Sequence, residues 1–213
     1  MQNKNQVVIY GRHAVFAALA NPRRSIVRVV CLKENAAELR GRIGEKKLSV
    51  VERRELEKML PREAVHQGMA AEMLPGISLE ELCEKAREKE NCHLLVLDQV
   101  TDPQNIGAII RSCAAFDALA LMVQDKNSPQ ESGAMLKAAA GTFELLPVCR
   151  VTNLSRAVEK LKKEGFWAVG MDGYAKNDVS ALQKGGKLAV IMGSEGAGMR
   201  RLVEETCDLT VRL

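Results

Sequence analysis

The sequence has 213 residues, of which 46% are hydrophobic and 27% charged, a globular composition long enough for one large domain or two small ones. Aromatic residues make up only 3%, too few for a platform that stacks single-stranded bases. No stretch approaches about 18 uninterrupted apolar residues, so no helical membrane span and no membrane partner are expected.

The net charge of +4 is unevenly spread. Met1–Gly76 holds 14 Lys and Arg against 8 Glu, whereas the remainder is slightly acidic. A basic front half suits contact with a polyanion such as RNA, and it equally suits a merely solvated basic surface. Cys31, Cys83, Cys92, Cys113, Cys149 and Cys207 form no C-x-x-C, and none has a His at zinc-ligand spacing. They read as reduced thiols of a cytoplasmic protein without a metal. The start of the chain has no apolar run followed by a cleavage site, so no signal peptide is expected.

Short β-rich runs alternate with helical patterns. Strands are predicted at Val7–Ile9, Ile26–Leu32, Leu48–Val51 and Gln67–Met73, with helices at Arg12–Ala20, Ala36–Ile43 and Arg53–Leu60 between them. Pro75-Gly76 is the clearest break, and Ser78 with Glu81 then forms a capping box for a helix at Leu79–Lys89. Beyond it come strands at Leu94–Asp98, Leu119–Val123, Phe166–Met171, Leu188–Met192 and Leu209–Leu213. Helices are expected at Ile106–Phe116, Leu154–Glu164 and Met199–Glu205. The alternation predicts an α/β fold with mostly parallel sheets. The boundary separates a small basic domain, residues 1–76, from a larger one, residues 77–213.

Two stretches carry chemistry. Asp102-Pro103-Gln104-Asn105-Ile106-Gly107-Ala108-Ile109-Ile110-Arg111 follows the apolar strand that ends at Asp98, where open α/β sheets place their sites. Asn105 is expected as the helix N-cap, and Ile106, Ile109, Ile110, Cys113 and Ala114 as the buried stripe. Arg111 lies off that stripe, reaching back over Gly107 toward the strand end. The same residues also fit an ordinary helix start with a surface arginine. Farther on, the strand ending at Met192 runs into Gly193-Ser194-Glu195-Gly196-Ala197-Gly198 and then a helical run. This is neither G-x-G-x-x-G nor a G-K-[ST] loop, which argues against a dehydrogenase. A carboxylate amid the loop would repel phosphate, so the loop suits a phosphate-free ligand such as S-adenosylmethionine. A tight connection whose glycines only turn the chain fits equally well.

Together these stretches resemble the first and second motifs of the SpoU/TrmH family of RNA 2′-O-methyltransferases. Lys137-Ala138-Ala139-Ala140-Gly141-Thr142 and Leu146-Pro147 resemble that family's intervening small-residue stretch and proline. Tyr10-Gly11-Arg12-His13-Ala14-Val15 and His66-Gln67-Gly68-Met69-Ala70-Ala71 resemble the ends of the substrate-binding domain in the subgroup that methylates a guanosine of bacterial large-subunit rRNA. The resemblance implies a trefoil-knotted methyltransferase domain, a homodimer, S-adenosylmethionine as cofactor and RNA as substrate, rRNA rather than tRNA. It implies catalytic roles for Asn105, Arg111 and Glu195. A guanidinium hardly deprotonates in a protein, so Arg111 is read as gripping an RNA phosphate and steadying alkoxide charge. Asn105 orients Arg111 or the ribose, and Glu195 holds Arg111 or the cofactor side. The cofactor pocket implied is Gly170, Met171, Met192, Gly193, Ser194, Gly196, Gly198 and Leu213. The side chains of Met171 and Met192 are themselves read as core packing, with their backbone left to bind. RNA contacts are expected from Arg12, His13, Arg23, Arg24 and Arg28, each of which also reads as a solvated charge. The family has a third motif after the last strand, and the sequence reaches only its first position at Leu213. The chain therefore reads as C-terminally truncated, which leaves open whether its knot is complete. The competing reading is a non-enzymatic RNA-binding or ribosome-assembly factor on the same scaffold.

Overall fold

The computed structural model describes residues 7–22, 24–44, 47–73, 76–126, 128–129, 131–182 and 185–212. The chain divides into two compact units, Met1–Pro75 with Gln130–Leu136, and Gly76–Pro129 with Lys137–Leu213.

The first unit runs β1 (Val7–Tyr10), α1 (Arg12–Ala20), β2 (Ile26–Cys31), α2 (Lys33–Arg40), β3 (Leu48–Val50), α3 (Arg53–Lys58) and β4 (Met69–Met73). Its sheet has the order β1-β4-β2-β3. Strand β4 returns between β1 and β2 and runs antiparallel to both, so among the described residues only β2 and β3 are parallel. The expectation of a mostly parallel sheet fails here. Period-two alternation splits the core in two. Ile9, Val29, Cys31, Met69 and Ala71 pack with Val15, Ala18, Ala36 and Leu39 of α1 and α2. Val30, Leu32 and Ala70 face Leu56 of α3. Strand β4 starts two residues later than predicted, because Gln67 and Gly68 have φ of 49° and 77° and form a turn.

The second unit runs α4 (Leu79–Arg87), β5 (Cys92–Leu97), α5 (Pro103–Ala115) and β6 (Leu121–Gln124). After α6 (Gly133–Ala138), whose residues up to Leu136 count with the first unit, and a 3-10 turn at Thr142–Glu144 come β7 (Val148–Val151), α7 (Leu154–Lys163), β8 (Phe166–Met171), β9 (Asn177–Asp178), β10 (Lys187–Met192), α8 (Arg201–Glu204) and β11 (Leu209–Arg212). Among the described residues these strands make a seven-stranded sheet of order β7-β6-β5-β10-β8-β11-β9, with every pairing parallel. Helix α7 shows why it forms. Leu154, Ala157, Val158 and Leu161 make a buried i, i+3, i+4, i+7 stripe, and Asn153 caps it by accepting from the Arg156 N–H at 3.1 Å. That stripe packs on Leu94, Val96, Met122, Ala189 and Ile191, with Leu82 and Ala86 of α4 beside it. The predicted capping box is present, Ser78 and Glu81 exchanging bonds of 3.2 and 2.8 Å. Gly76 is required by close approach, since a Cβ there would lie 1.9 Å from the Val148 carbonyl oxygen.

Helix α5 corrects the N-cap expectation. Asp102, not Asn105, is the cap, its carboxylate accepting from the Gln104 N–H at 2.9 Å, and Pro103 is the first helical residue. Asn105 is instead an exposed residue of the first turn. The expected stripe holds for Ile106, Ile110 and Cys113, which are buried with Gly107, whereas Ile109 and Ala114 are half-buried.

Candidate active site

Parallel pairing brings the carboxyl ends of four strands to one edge of the larger sheet. Met192 pairs with both Leu97 and Met171, and Val211 pairs with Met171. The loops leaving these ends therefore meet, at the place where open α/β sheets bind ligands. A cavity of ≈ 390 Å³ lies there. It is lined by Met171–Tyr174 after β8, by Met192, Gly193, Ser194 and Gly196–Met199 after β10, and by Glu204 of α8. The volume is within the range of small-molecule sites, roughly 300–1,000 Å³.

The shape of the glycine loop follows from its sequence. Ser194 and Gly198 exchange backbone bonds of 3.1 and 2.9 Å, closing a tight loop whose Gly196 and Gly198 have φ of 90° and 69°. Gly193 sits against the returning backbone, where a Cβ would be 2.0 Å from the Gly198 carbonyl carbon. The expected cofactor residues Met171, Met192, Gly193, Ser194, Gly196 and Gly198 all line the cavity. Met192 is exposed and Met171 half-buried, so the core-packing role read for their side chains does not hold. Gly170 is not on the lining. A Cβ there would meet Met199 Cε at 2.6 Å and Cys207 Sγ at 3.0 Å, so it makes room for packing beneath the cavity. Leu213 lies outside the described residues.

Among the described residues the lining contains Asp172 and Glu204 and no Lys or Arg. Asp172 also shapes the rim, accepting from the Tyr174 N–H at 3.0 Å and leaving the Tyr174 ring 97% exposed at the mouth. Sequence reasoning missed Asp172, Gly173, Tyr174, Met199 and Glu204. It also missed Asp98, a completely buried carboxylate just past β5, which pairs with Arg200. The signal available was a charged residue ending an otherwise apolar strand.

Asn105, Arg111 and Glu195 are all exposed. Among the described residues no hydrogen bond or ion pair joins them, so of the two roles read for Glu195, holding Arg111 or holding the cofactor side, the first has no contact in this structure. Arg111 projects from α5 and Glu195 from the tip of the glycine loop.

In the first unit, the two family-like stretches come together. The Arg12 N–H donates to Gln67 Oε1 at 2.9 Å, and Asn35 Nδ2 donates to the Gln67 and Gly68 carbonyls. His66 Nδ1 accepts from the Gly68 N–H at 3.0 Å, a turn-stabilising role. The Arg12 guanidinium pairs with Glu38 and lies 5.1 Å from the Phe16 ring centroid. Arg28 pairs with Glu72 and stays half-exposed, and His13 is exposed. Arg24 is paired with Glu131 with little exposure, 10% and 5%, so it presents little surface for the RNA contact expected of it. Arg23 lies outside the described residues. Among the described residues no group of three or more His, Cys, Asp or Glu could hold a metal, and no helix is long and apolar enough to cross a membrane.

The sequence profile of the SpoU rRNA Methylase family matches residues 93–213, more than half of the chain, and takes in the whole cavity. The chain belongs to the SpoU rRNA methylase family. A second profile, RNA 2′-O ribose methyltransferase substrate binding, matches residues 8–75. Among SpoU relatives, the 23S rRNA (guanosine-2′-O-)-methyltransferase RlmB of Pseudomonas putida is 40% identical over 96% of this chain and 86% of its own length. That of Haemophilus ducreyi is 39% identical over 96% and 87%. The crystal structure of the SpoU methyltransferase AviRb from Streptomyces viridochromogenes in complex with AdoMet superposes with a TM-score of 0.75 at 21% identity, covering 98% of this chain and 81% of that one. An AdoMet-bound rRNA methyltransferase from Sinorhizobium meliloti gives 0.71 at 18% identity, covering 98% and 78%. At these identities the two structures establish a shared SpoU fold.

Proposed function

We propose that the chain transfers a methyl group from S-adenosylmethionine to the ribose 2′-hydroxyl of a guanosine in 23S rRNA. The observation that carries this reading is the cavity, with its glycine loop and two carboxylates and, among the described residues, no Lys or Arg on its lining. Such a lining suits a nucleoside ligand that is cationic and lacks phosphate. When bound, S-adenosylmethionine supplies a methyl group on a positively charged sulfur. Gly193, Ser194, Gly196 and Gly198 offer it backbone groups, while Asp172 and Glu204 suit its cationic and hydroxyl groups. Met171 and Met192 give the pocket apolar walls and help to exclude water.

On the RNA side, Arg111 grips a phosphate and steadies the charge that develops on the 2′-oxygen as its proton leaves. Asn105, six residues earlier on the same helix, orients the ribose or Arg111. Glu195 steadies Arg111 or the cofactor when the loop closes on RNA. Residues 1–76 form the RNA-binding domain, with Arg12, His13 and Arg28 as candidate contacts, and residues 77–213 the methyltransferase domain. In this reading the latter carries a trefoil knot, a rare exception to unknotted chains, and pairs as a cytoplasmic homodimer. Phe116 and Leu145, 76% and 64% exposed, are apolar side chains that a second copy would cover.

The test is to incubate the chain with S-adenosylmethionine and unmodified 23S rRNA, digest to nucleosides and look for 2′-O-methylguanosine by mass spectrometry. That product is expected. Cofactor binding without methylation of any RNA would refute the reading in favour of an RNA-binding factor, and methylation of tRNA alone would move the substrate. Arg111→Ala should cut transfer by about a hundredfold or more and leave S-adenosylhomocysteine affinity within about threefold. Equal loss of both would remove Arg111 from its role.

A further inference from the structure

We infer that Asp98, Arg200 and Gln124 form a clip that holds the Gly193–Met199 loop in its binding conformation, and that cofactor affinity depends on this clip. The inference rests on the cofactor reading of the cavity. A carboxylate buried without exposure to water is costly unless fully partnered. Among the described residues, every partner of the Asp98 carboxylate comes from one residue. Arg200 donates its backbone N–H to Oδ2 at 2.7 Å and its Nε to Oδ1 at 2.8 Å, and its Nη2 lies 2.7 Å from Oδ1. The same Nη2 donates to Gln124 Oε1 at 2.8 Å, at the end of β6. Meanwhile the Asp98 backbone N–H donates to the Met192 carbonyl at 2.8 Å.

Asp98 therefore grips both ends of the glycine loop. Its main chain holds the residue before Gly193, and its carboxylate holds the residue after Met199. Between those ends the support comes from Met199, which packs against the core beside Gly170. Residues 195–198 are exposed, and two backbone bonds between Ser194 and Gly198 close the turn. Its position relative to Met171 and Asp172 across the cavity is set from outside. Asp98, Arg200 and Gln124 are absent from the lining, so they act through the loop as positioning residues and not on the reacting atoms.

Asp98→Asn keeps the size of the side chain and removes its charge. In calorimetry with S-adenosylhomocysteine the dissociation constant should rise about tenfold or more, the weight of one charge-assisted hydrogen bond. Amide hydrogen exchange should quicken across Gly193–Met199 while β5 and β10 stay protected. In methyl transfer the change should fall on KM for the cofactor more than on kcat. Arg200→Lys keeps the charge but loses the fork that reaches Gln124, and should give an intermediate loss. Unchanged affinity and loop exchange in Asp98→Asn, even with a lowered Tm, would overturn the inference and reduce the clip to a fold contact. If Asp98→Asn does not fold, Arg200→Lys and Gln124→Ala decide, and wild-type affinity in both would overturn it equally. Failure of the unaltered chain to bind S-adenosylhomocysteine would instead overturn the cofactor reading, and this inference with it.

Discussion

Replacing Gly193 by Ala tests whether the glycine loop shapes the cofactor site. The new methyl carbon would lie 2.0 Å from the Gly198 carbonyl carbon, 2.2 Å from its oxygen and 2.2 Å from the Met199 nitrogen. These are backbone atoms with no flexible end to swing away. Ordinary contact begins near 3.4 Å, so the two sides of the loop must part by about 1.4 Å. The Ser194–Gly198 bonds, now 3.1 and 2.9 Å, would then exceed hydrogen-bonding distance. Losing both costs about 2 kcal/mol, and residual crowding adds about 1–3 kcal/mol. Because residues 195–198 are exposed, most of the crowding can be relieved by moving the loop, leaving a Tm drop of about 4–8 °C. Affinity for S-adenosylhomocysteine should fall by about a hundredfold or more, because the backbone groups offered to the ligand move with the loop. Isothermal calorimetry beside thermal unfolding separates the two effects. Gly41→Ala is the control, having open space around the added methyl. Affinity within about threefold of wild type in Gly193→Ala would refute the reasoning.

Two further outcomes follow from the second unit. Accepting the Ser78 backbone N–H, with the Ser78 side chain as a smaller influence, holds the Glu81 carboxyl below its ordinary range. A lowered folded pKa gives stability present above the unfolded value, about 4.3, and lost as pH falls through the folded value. Glu81→Gln should therefore unfold at lower urea than wild type at pH 7, with the gap closing below about pH 4; a gap independent of pH would contradict the capping-box assignment. Burial, with Cys83 and nearby Glu80 and Glu81, pushes the Cys149 thiol up to about 12, and burial with Glu204 and Asp208 pushes Cys207 to about 11. Iodoacetamide at neutral pH should leave both unmodified in the folded chain and alkylate both in denaturant, as peptide mass spectrometry would show. Rapid labelling of either in the folded chain would show that it is less enclosed than described.

The sequence was most readable where a side-chain period and a boundary signal agree. Helix α1 at Arg12–Ala20 and strand β8 at Phe166–Met171 fall where predicted. Strand β7 and helix α6 were not foreseen. Val148–Val151 is four residues with an Arg inside, and Gly133–Ala138 is six residues opening on a glycine, both too short for a period to declare itself. The start of α5 was misplaced by three residues because Asn105 directly precedes the apolar stripe, while the Asp102-Pro103 pair carried the true signal. The glycine loop was legible because its residues are contiguous. Asp98 with Arg200 was not, since the strand register that unites them is a property of the folded sheet. Tyr174 was missed because nothing local distinguishes an exposed aromatic at a cavity mouth from one on any surface loop.

The pairing of β5 with β10 also fixes when in the life of the chain the site can exist. Asp98 and Arg200 are 102 residues apart. At about 5–20 residues per second of synthesis, Asp98 is made about 5–20 s before its partner. Through that interval β5, which lies next to the central strand of the finished sheet, has a bare edge on the side that β10 will take, and the carboxylate just past its end must remain in water. A ligand of this cavity can then be recognised only by a chain whose late-made strand has already docked, so cofactor capture by nascent chains would time the closing of the sheet.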